Sequence, residues 1–380
     1  MKNTSLARAT VEINLAAARC NFRTLRASVA QNARFCCVVK ANAYGHGAAR
    51  LARIYEEEGA DLLAVATAEE ALSLRRAGIA LPILVLGWVH PDEAPALSRA
   101  GVQISLFSAE QARAFSAAAA RAGQPIALHI KVNTGMGRLG FPCDAHEEIL
   151  AAARLPMLVP TGIFTHFATA DAEDSAGRAF LLLQESRFRA LLAALSLRGL
   201  RPPLCHASNS AAALACPSGA FDAVRVGIAL YGISPFTPKV KIPNLRPILR
   251  LTAPVVHLFP LRAGETVGYG QTFRADSPRR IAVLPLGYAD GLPRLAAERG
   301  LFVRIHGRLC RFVGRVCMDM ATVDVTDVPV RLGDCAEIYG TRGETVVARV
   351  AARCGAIPYE ITCALGERLK RVYLENENRA

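Results

Sequence analysis

Phe35-Cys36-Cys37-Val38-Val39-Lys40-Ala41-Asn42-Ala43-Tyr44-Gly45-His46-Gly47 is the stretch on which the fold of this chain turns. Five apolar residues without a polar break read as a strand buried on both faces. The strand delivers a lysine directly into a segment of alanine and glycine. From there short apolar runs recur roughly every 25 to 30 residues, separated by alanine-rich stretches of helical spacing, the rhythm of successive β-α units. The runs are 35–39, 62–65, 83–86, 103–106, 127–132, 157–164, 204–206 and 223–226. Eight such units predict an α/β fold, an N-terminal (β/α)8 TIM-like barrel whose chemistry sits at the carboxyl ends of the strands. The conspicuous polar residues fall there: Lys40 after the first strand, Lys131 and Arg138 after the fifth, His166 after the sixth, Asn209 and Ser210 after the seventh, Arg225 at the eighth.

Beyond Tyr231 the texture changes. Pro235, Pro238, Pro243, Pro247 and Pro254 punctuate a linker, and short apolar runs such as 280–286 and 302–305 then appear with frequent turn signals and few helical stretches. A C-terminal mostly-β domain over 241–380 is expected, after a barrel domain over 1–240, with residues 1–13 able to lend a strand to the β domain.

The chain is 52% hydrophobic and 20% charged, the balance of an ordinary globular protein. Its net charge of +13 raises nucleic acid as a partner. The basic clusters are short and scattered, however, with no aromatic-interleaved stripe, so neither nucleic acid nor membrane is an expected partner. Only Lys2, Lys40, Lys131, Lys239, Lys241 and Lys370 are lysines, which makes one set into apolar sequence conspicuous. Eleven cysteines with no C-x-x-C spacing argue for reduced, mostly buried thiols and no metal site. The first fifteen residues hold no apolar core of a signal peptide, and no later run could span a bilayer, so a cytoplasmic location is expected.

A lysine at a strand end ordinarily snorkels to solvent. Held in an apolar setting, it instead has a lowered pKa and becomes a Schiff-base nucleophile for a carbonyl cofactor. The strand alone decides neither. The run from Val38 to Gly47 resembles the cofactor-lysine motif of the alanine racemase family, and further matches occur in that family's order. They are Lys131 to Gly140, Thr165 to Ala168, His206 to Ala211, Val224 to Gly227, Gly268-Tyr269-Gly270, Gly314 to Asp319, and Pro358-Tyr359-Glu360. The resemblance spans nearly the whole chain.

It implies a homodimeric, pyridoxal-phosphate-dependent isomerase that interconverts L- and D-alanine through a pyridoxal-phosphate aldimine, supplying D-alanine for peptidoglycan. Lys40 would carry the cofactor and work one face of the substrate, and Tyr269 the other. Arg225 would meet the pyridine nitrogen, where a permanent cation opposes protonation, with His166 linking it to the tyrosine. Tyr44, Asn209, Ser210, Gly227, Ile228 and Tyr359 match the family's cofactor-binding positions, most of them on the phosphate. Without the family, Asn209 and Ser210 would read as a helix N-cap. Arg138 and the Met318 backbone resemble the substrate-carboxylate clamp, with Met318 and Tyr269 supplied to the partner subunit's site. A carbamate on Lys131 would convert a cation that repels Arg138 into an anion that holds it. Cys317 and Asp319 match the motif with no step assigned, and Tyr288 and Asp171 resemble residues of the active-site entrance.

A broad-specificity amino-acid racemase shares these motifs, but such enzymes often carry a secretion signal. A decarboxylase of the same plan would need a glycine-triplet phosphate loop, which is missing. A non-catalytic pyridoxal-phosphate-binding protein needs only the barrel.

Overall fold

The computed structural model describes residues 8–215, 221–237 and 240–375. Lys2, Pro238, Lys239 and Cys216 lie outside the described residues. The chain separates into two compact units, one of residues 19–43 and 48–245, the other of 8–18, 44–47 and 246–375.

In the first unit eight parallel strands close on themselves. Arg34–Val38, Leu62–Val65, Ile83–Val85, Val102–Leu106 and Ile126–Asn133 are followed by Leu158–Phe164, Cys205–His206 and Ala223–Val226, and the last pairs with the first. Closure brings Val224 opposite Phe35 and Arg225 opposite Cys36. The strands are apolar without alternation because both faces are covered. Every residue of Leu62–Val65 and of Ile83–Val85 is buried. Helices start where side chains can satisfy the first amides. Thr67 and Glu70 form a capping box at Ala68–Arg76, and Ser108 caps Ala109–Ala122, which ends on Gly123 in the left-handed conformation.

The second unit is mostly β. Its larger sheet runs in the order Arg308–Arg311, Phe302–Ile305, Cys335–Tyr339, Leu249–Pro254, Thr10–Asn14, Lys370–Leu374. Thr10–Asn14 lies antiparallel to Leu249–Pro254 and parallel to Lys370–Leu374, with alternate residues buried. A three-stranded sheet joins His257–Leu261, Arg279–Leu284 and Ala321–Asp324. Leu261, Val267, Ala275, Ile281 and Val313 pack together at its core.

The ten described cysteines are all free thiols. Only Cys36, Cys37 and Cys310 are buried, so the expectation of mostly buried thiols overstated their burial. Among the described residues no helix is long and apolar enough to cross a membrane, and no group of three or more His, Cys, Asp or Glu could hold a metal ion.

Candidate active site

Lys40 leaves the first barrel strand half-buried. The backbone then does something that its sequence does not advertise. Ala41, Asn42, Ala43 and Tyr44 all adopt φ near +50°, at 50°, 53°, 53° and 53°. That is a full turn of left-handed helix built without glycine, in a conformation that crowds Cβ against the carbonyl. Side chains hold it in place. Glu70 accepts from the Ala41 N–H at 2.6 Å and from the Ala66 N–H at 2.7 Å, while Asn42 Oδ1 accepts from the Ala48 N–H at 2.8 Å. The left-handed residues also bond within the turn, Ala43 N–H donating to Val39 O at 2.8 Å. In the β unit, Gly45 is irreplaceable for space, since a Cβ there would lie 2.0 Å from Thr362 O.

Lys131 lies within the fifth barrel strand, Ile126–Asn133, and is buried. Burial first, then Arg138, Arg225 and Lys40, bring its ammonium down to about 8. Arg138 is exposed on the following loop. Arg225 is only 4% exposed, and burial lowers its guanidinium to about 10. Its partners are neutral. Nη1 donates to His206 Nδ1 at 2.7 Å, and Nη2 donates to Thr165 O at 2.8 Å, Ala207 O at 2.9 Å and His166 Nδ1 at 3.3 Å. Among the described residues no carboxylate pairs with Arg225, Lys131 or Arg138.

Desolvation, and next the Arg225 charge, push His166 down to about 3 and His129 to about 3, with His206 well below its ordinary value. All three are therefore neutral at physiological pH. Because Arg225 donates to His206 Nδ1, the His206 proton resides on Nε2 and is donated to His129 Nδ1 at 2.8 Å. Phe164 stacks on His206 with ring centroids 4.9 Å apart and carries Arg225 and Lys131 over its face at 5.3 and 5.4 Å. The sixth barrel strand must be bare beside these rings: a Cβ at Gly162 would come within 2.6 Å of the His129 ring.

Asn209 does act as a cap, its Oδ1 accepting from Ala212 N–H at 3.0 Å at the start of Ser210–Ala215. The Gly227 N–H, expected on a phosphate, donates to Ser210 Oγ at 2.8 Å. Ile228 is buried and opens a 3-10 turn to Tyr231, whose hydroxyl donates to Val38 O at 2.7 Å. Asp171 is exposed on the loop that leads to helix Ser175–Leu197.

Within the β unit, Tyr269 is 70% exposed on a turn between Gly268 and Gly270, both at positive φ. Tyr44 and Tyr359 face each other with ring centroids 5.7 Å apart. Tyr288, Met318 and Asp319 are exposed and Cys317 half-buried. The Tyr288 N–H donates to Cys317 O at 3.1 Å, so these last residues form one local assembly.

Thus Lys40, Lys131, Arg138, His166 and Arg225 share one field at the carboxyl end of the barrel, and Tyr288, Cys317, Met318 and Asp319 one region of the β unit. The sequence reading missed Glu70 and His129. Signals for both were present: Thr67-x-x-Glu70 has capping-box spacing, and His129 lies two residues before Lys131 on the same strand.

Two family models together match most of the chain, "Alanine racemase, N-terminal domain" over residues 13–235 and "Alanine racemase, C-terminal domain" over 248–373. The alanine racemase of Desulforamulus reducens is 42% identical over 368 residues, 96% of this chain and 98% of that protein. The solved alanine racemase of Clostridium difficile superposes with a TM-score of 0.93 at 33% identity, over 99% of this chain and 98% of that one. The Bacillus anthracis alanine racemase with bound L-Ala-P gives 0.92 at 33% identity, over 98% and 96%. These relatives do not favour the broad-specificity alternative. Matched over both its barrel and its β unit, and 42% identical to a relative along nearly its whole length, the chain belongs to the alanine racemase family of pyridoxal-phosphate-dependent isomerases.

Proposed function

We propose that this chain interconverts L- and D-alanine by a two-base reaction in which Lys40 and Tyr269 work opposite faces of the substrate. The observation that carries the proposal is a buried, carboxylate-free Arg225 in one field with Lys131, Arg138 and Lys40. Such a concentration of positive charge calls for an anionic ligand, and a cofactor phosphate with a substrate carboxylate would supply it. Arg225 fits the pyridine nitrogen in particular. Its Nε–H donates to no group among the described residues, and its other bonds all go to neutral acceptors.

When bound, pyridoxal phosphate supplies the electron sink that makes the α-proton of an amino acid acidic. Lys40 would hold it, with Tyr44, Asn209, Ser210, Gly227, Ile228 and Tyr359 around its phosphate and ring. Arg225, itself cationic, would discourage protonation of the pyridine nitrogen, where two positive charges would be adjacent, and so limit side reactions. His166, neutral beside Arg225, can pass hydrogen-bond polarity without adding charge. Arg138 and the Met318 N–H would take the substrate carboxylate, Lys131 holding Arg138 once carbamylated, with Cys317 and Asp319 beside Met318, and Tyr288 and Asp171 guarding the entrance. The exposure of Tyr269 and Met318 supports a homodimer in which each subunit lends these two residues to its partner's barrel. We place the protein in the cytoplasm, in two domains of residues 1–240 and 241–380.

Solvent exchange of the α-proton tests the face assignment. In Tyr269→Phe, D-alanine should still exchange through Lys40 while L-alanine exchange falls on the order of a hundredfold or more, since one positioned acid/base group contributes roughly 10²–10⁴-fold. Equal exchange from both enantiomers would remove Tyr269 from this role.

A further inference from the structure

Asp290 is a carboxylate buried in the β unit at 1% exposure, and the groups that contact it come from segments that bear on the 317–319 turn. Its Oδ2 accepts from the Gly287 N–H at 2.8 Å, which closes the short turn carrying Tyr288. Its Oδ1 accepts from Arg368 Nε at 2.8 Å, and Arg8 reaches Oδ2 at 3.4 Å. Both arginines then extend to the same neighbouring turn. Arg368 Nη2 donates to Asp319 Oδ1 at 2.8 Å and lies 3.5 Å from Met318 O, while Arg8 Nη2 donates to Asp319 O at 3.0 Å. The Tyr288 turn also bonds directly to this one, Tyr288 N–H to Cys317 O and Ala289 N–H to Met318 O, both at 3.1 Å. The approach is so close that a Cβ at Gly287 would lie 2.2 Å from Cys317 O and 2.3 Å from Met318 O.

The tip of the turn thus held is exposed. Met318, Asp319 and Met320 are each more than half exposed, and the Met318 N–H donates to no group among the described residues. Without the arginines the turn would keep its backbone bonds, Tyr288 N–H to Cys317 O, Ala289 N–H to Met318 O and Cys317 N–H to Met320 O at 2.9 Å. Its exposed tip at Met318 and Asp319 would lose its side-chain restraint and open locally more readily.

We infer that Asp290 and Arg368 are positioning residues for substrate binding, joining the Tyr288 turn to the 317–319 turn so that the Met318 N–H is held ready for a carboxylate. This rests on the reading of Met318 as a carboxylate donor, and it gives Asp319 a role, its side chain being the outer handle that Arg368 grips. The guanidinium is needed because Nε and Nη2 serve two carboxylates at once, which an ammonium on one point cannot do.

The test compares the holoenzyme with Arg368→Met, Arg368→Lys and Asp319→Asn. A donor that binds the substrate carboxylate alike in ground and transition state affects KM and not kcat. Arg368→Met should therefore raise the KM for both alanine enantiomers roughly tenfold, with kcat within about threefold of wild type. Asp319→Asn should shift KM in the same direction by a smaller factor, and Arg368→Lys should fall between Arg368→Met and wild type. Hydrogen exchange read by mass spectrometry should quicken at least about threefold in a peptide over 314–320 and stay unchanged in the strands 279–284 and 321–324.

Unchanged exchange in that peptide, a fall in kcat at constant KM, or quicker exchange with an unchanged KM would each overturn the inference. Should Arg368→Met fail to fold, because removing one partner leaves Asp290 charged and buried, Asp319→Asn carries the same test from the exposed end. A wild-type protein that turns over no alanine refutes the proposed function, whereas the exchange measurement still judges the lock.

Discussion

Replacing Glu70 by alanine should destabilise the left-handed turn after Lys40. Glu70 is half-buried and accepts from three backbone amides, Ala41 at 2.6 Å, Ala66 at 2.7 Å and Thr67 at 3.3 Å. Hydrogen bonds to a charged group contribute roughly 1.5–3 kcal/mol when fully buried. Partial exposure reduces this to about 1 kcal/mol for each of the two short bonds, so Glu70→Ala should lose ~2 kcal/mol of stability. The opposing strain is larger, about 3–6 kcal/mol over Ala41, Ala43 and Tyr44 at roughly 1–2 kcal/mol each, so Glu70 offsets part of it. Glu70→Gln should lose about half as much, because an amide offers one acceptor oxygen and must turn its NH2 toward either Ala41 or Ala66. Ala41→Gly should return about 1 kcal/mol in the Glu70→Ala background, as glycine accepts a φ of 50° without the Cβ penalty. Urea unfolding followed by circular dichroism reads these differences. Racemisation rate reads the functional consequence, since misplacing Lys40 by about 1 Å is expected to cost on the order of a hundredfold. A Glu70→Ala protein with wild-type unfolding and rate, or an Ala41→Gly change that destabilises further, would refute the reasoning.

Acid should weaken the barrel through His129 and His206. Both are held neutral when folded, with pKa values below the ordinary 6.5, so the unfolded chain binds more protons and stability present above about 6.5 is lost as pH falls toward the folded values. At pH 5.5 the loss is roughly 1.4 kcal/mol per histidine; urea titrations at pH 7.5 and 5.5 should show it, and His129→Gln should reduce it by about half. Arg225→Glu should raise pyruvate formed per racemisation event at least about tenfold, since the guanidinium that opposes protonation of the cofactor is gone; an unchanged ratio would reduce Arg225 to a structural role. Lys131, at about 8, is roughly one-tenth neutral amine at pH 7 and should take up carbon dioxide. A carbamate carbon signal after incubation with ¹³C-bicarbonate, lost in Lys131→Ala, checks this, and no signal from the wild type would refute it.

Much of this molecule was decided locally. A parallel strand covered on both faces must be apolar throughout, so runs such as Leu62–Val65 and Ile83–Val85 declare themselves, and their spacing implies the barrel. The same physics puts Lys40, His166 and Arg225 at strand ends, and two glycines around Tyr269 mark it as borne on a turn. The backbone after Lys40 was not legible. Ala41-Asn42-Ala43-Tyr44 carries no signal for left-handed backbone, because three of the four residues oppose it intrinsically, and the decision falls to Glu70, 29 residues along the chain. The neutrality of the histidines was likewise hidden. His129 meets His206 across 77 residues and His206 meets Arg225 across 19, so their burial and their shared protons exist only once the barrel has closed. Asp290 drew no notice in the sequence, because the arginines that bury its carboxylate, Arg8 and Arg368, come from opposite ends of the chain. Strand identity is set by near neighbours, whose chemistry a sequence displays. Strain and charge depend on which distant groups fill the remaining space, and closure of the tertiary structure alone determines that.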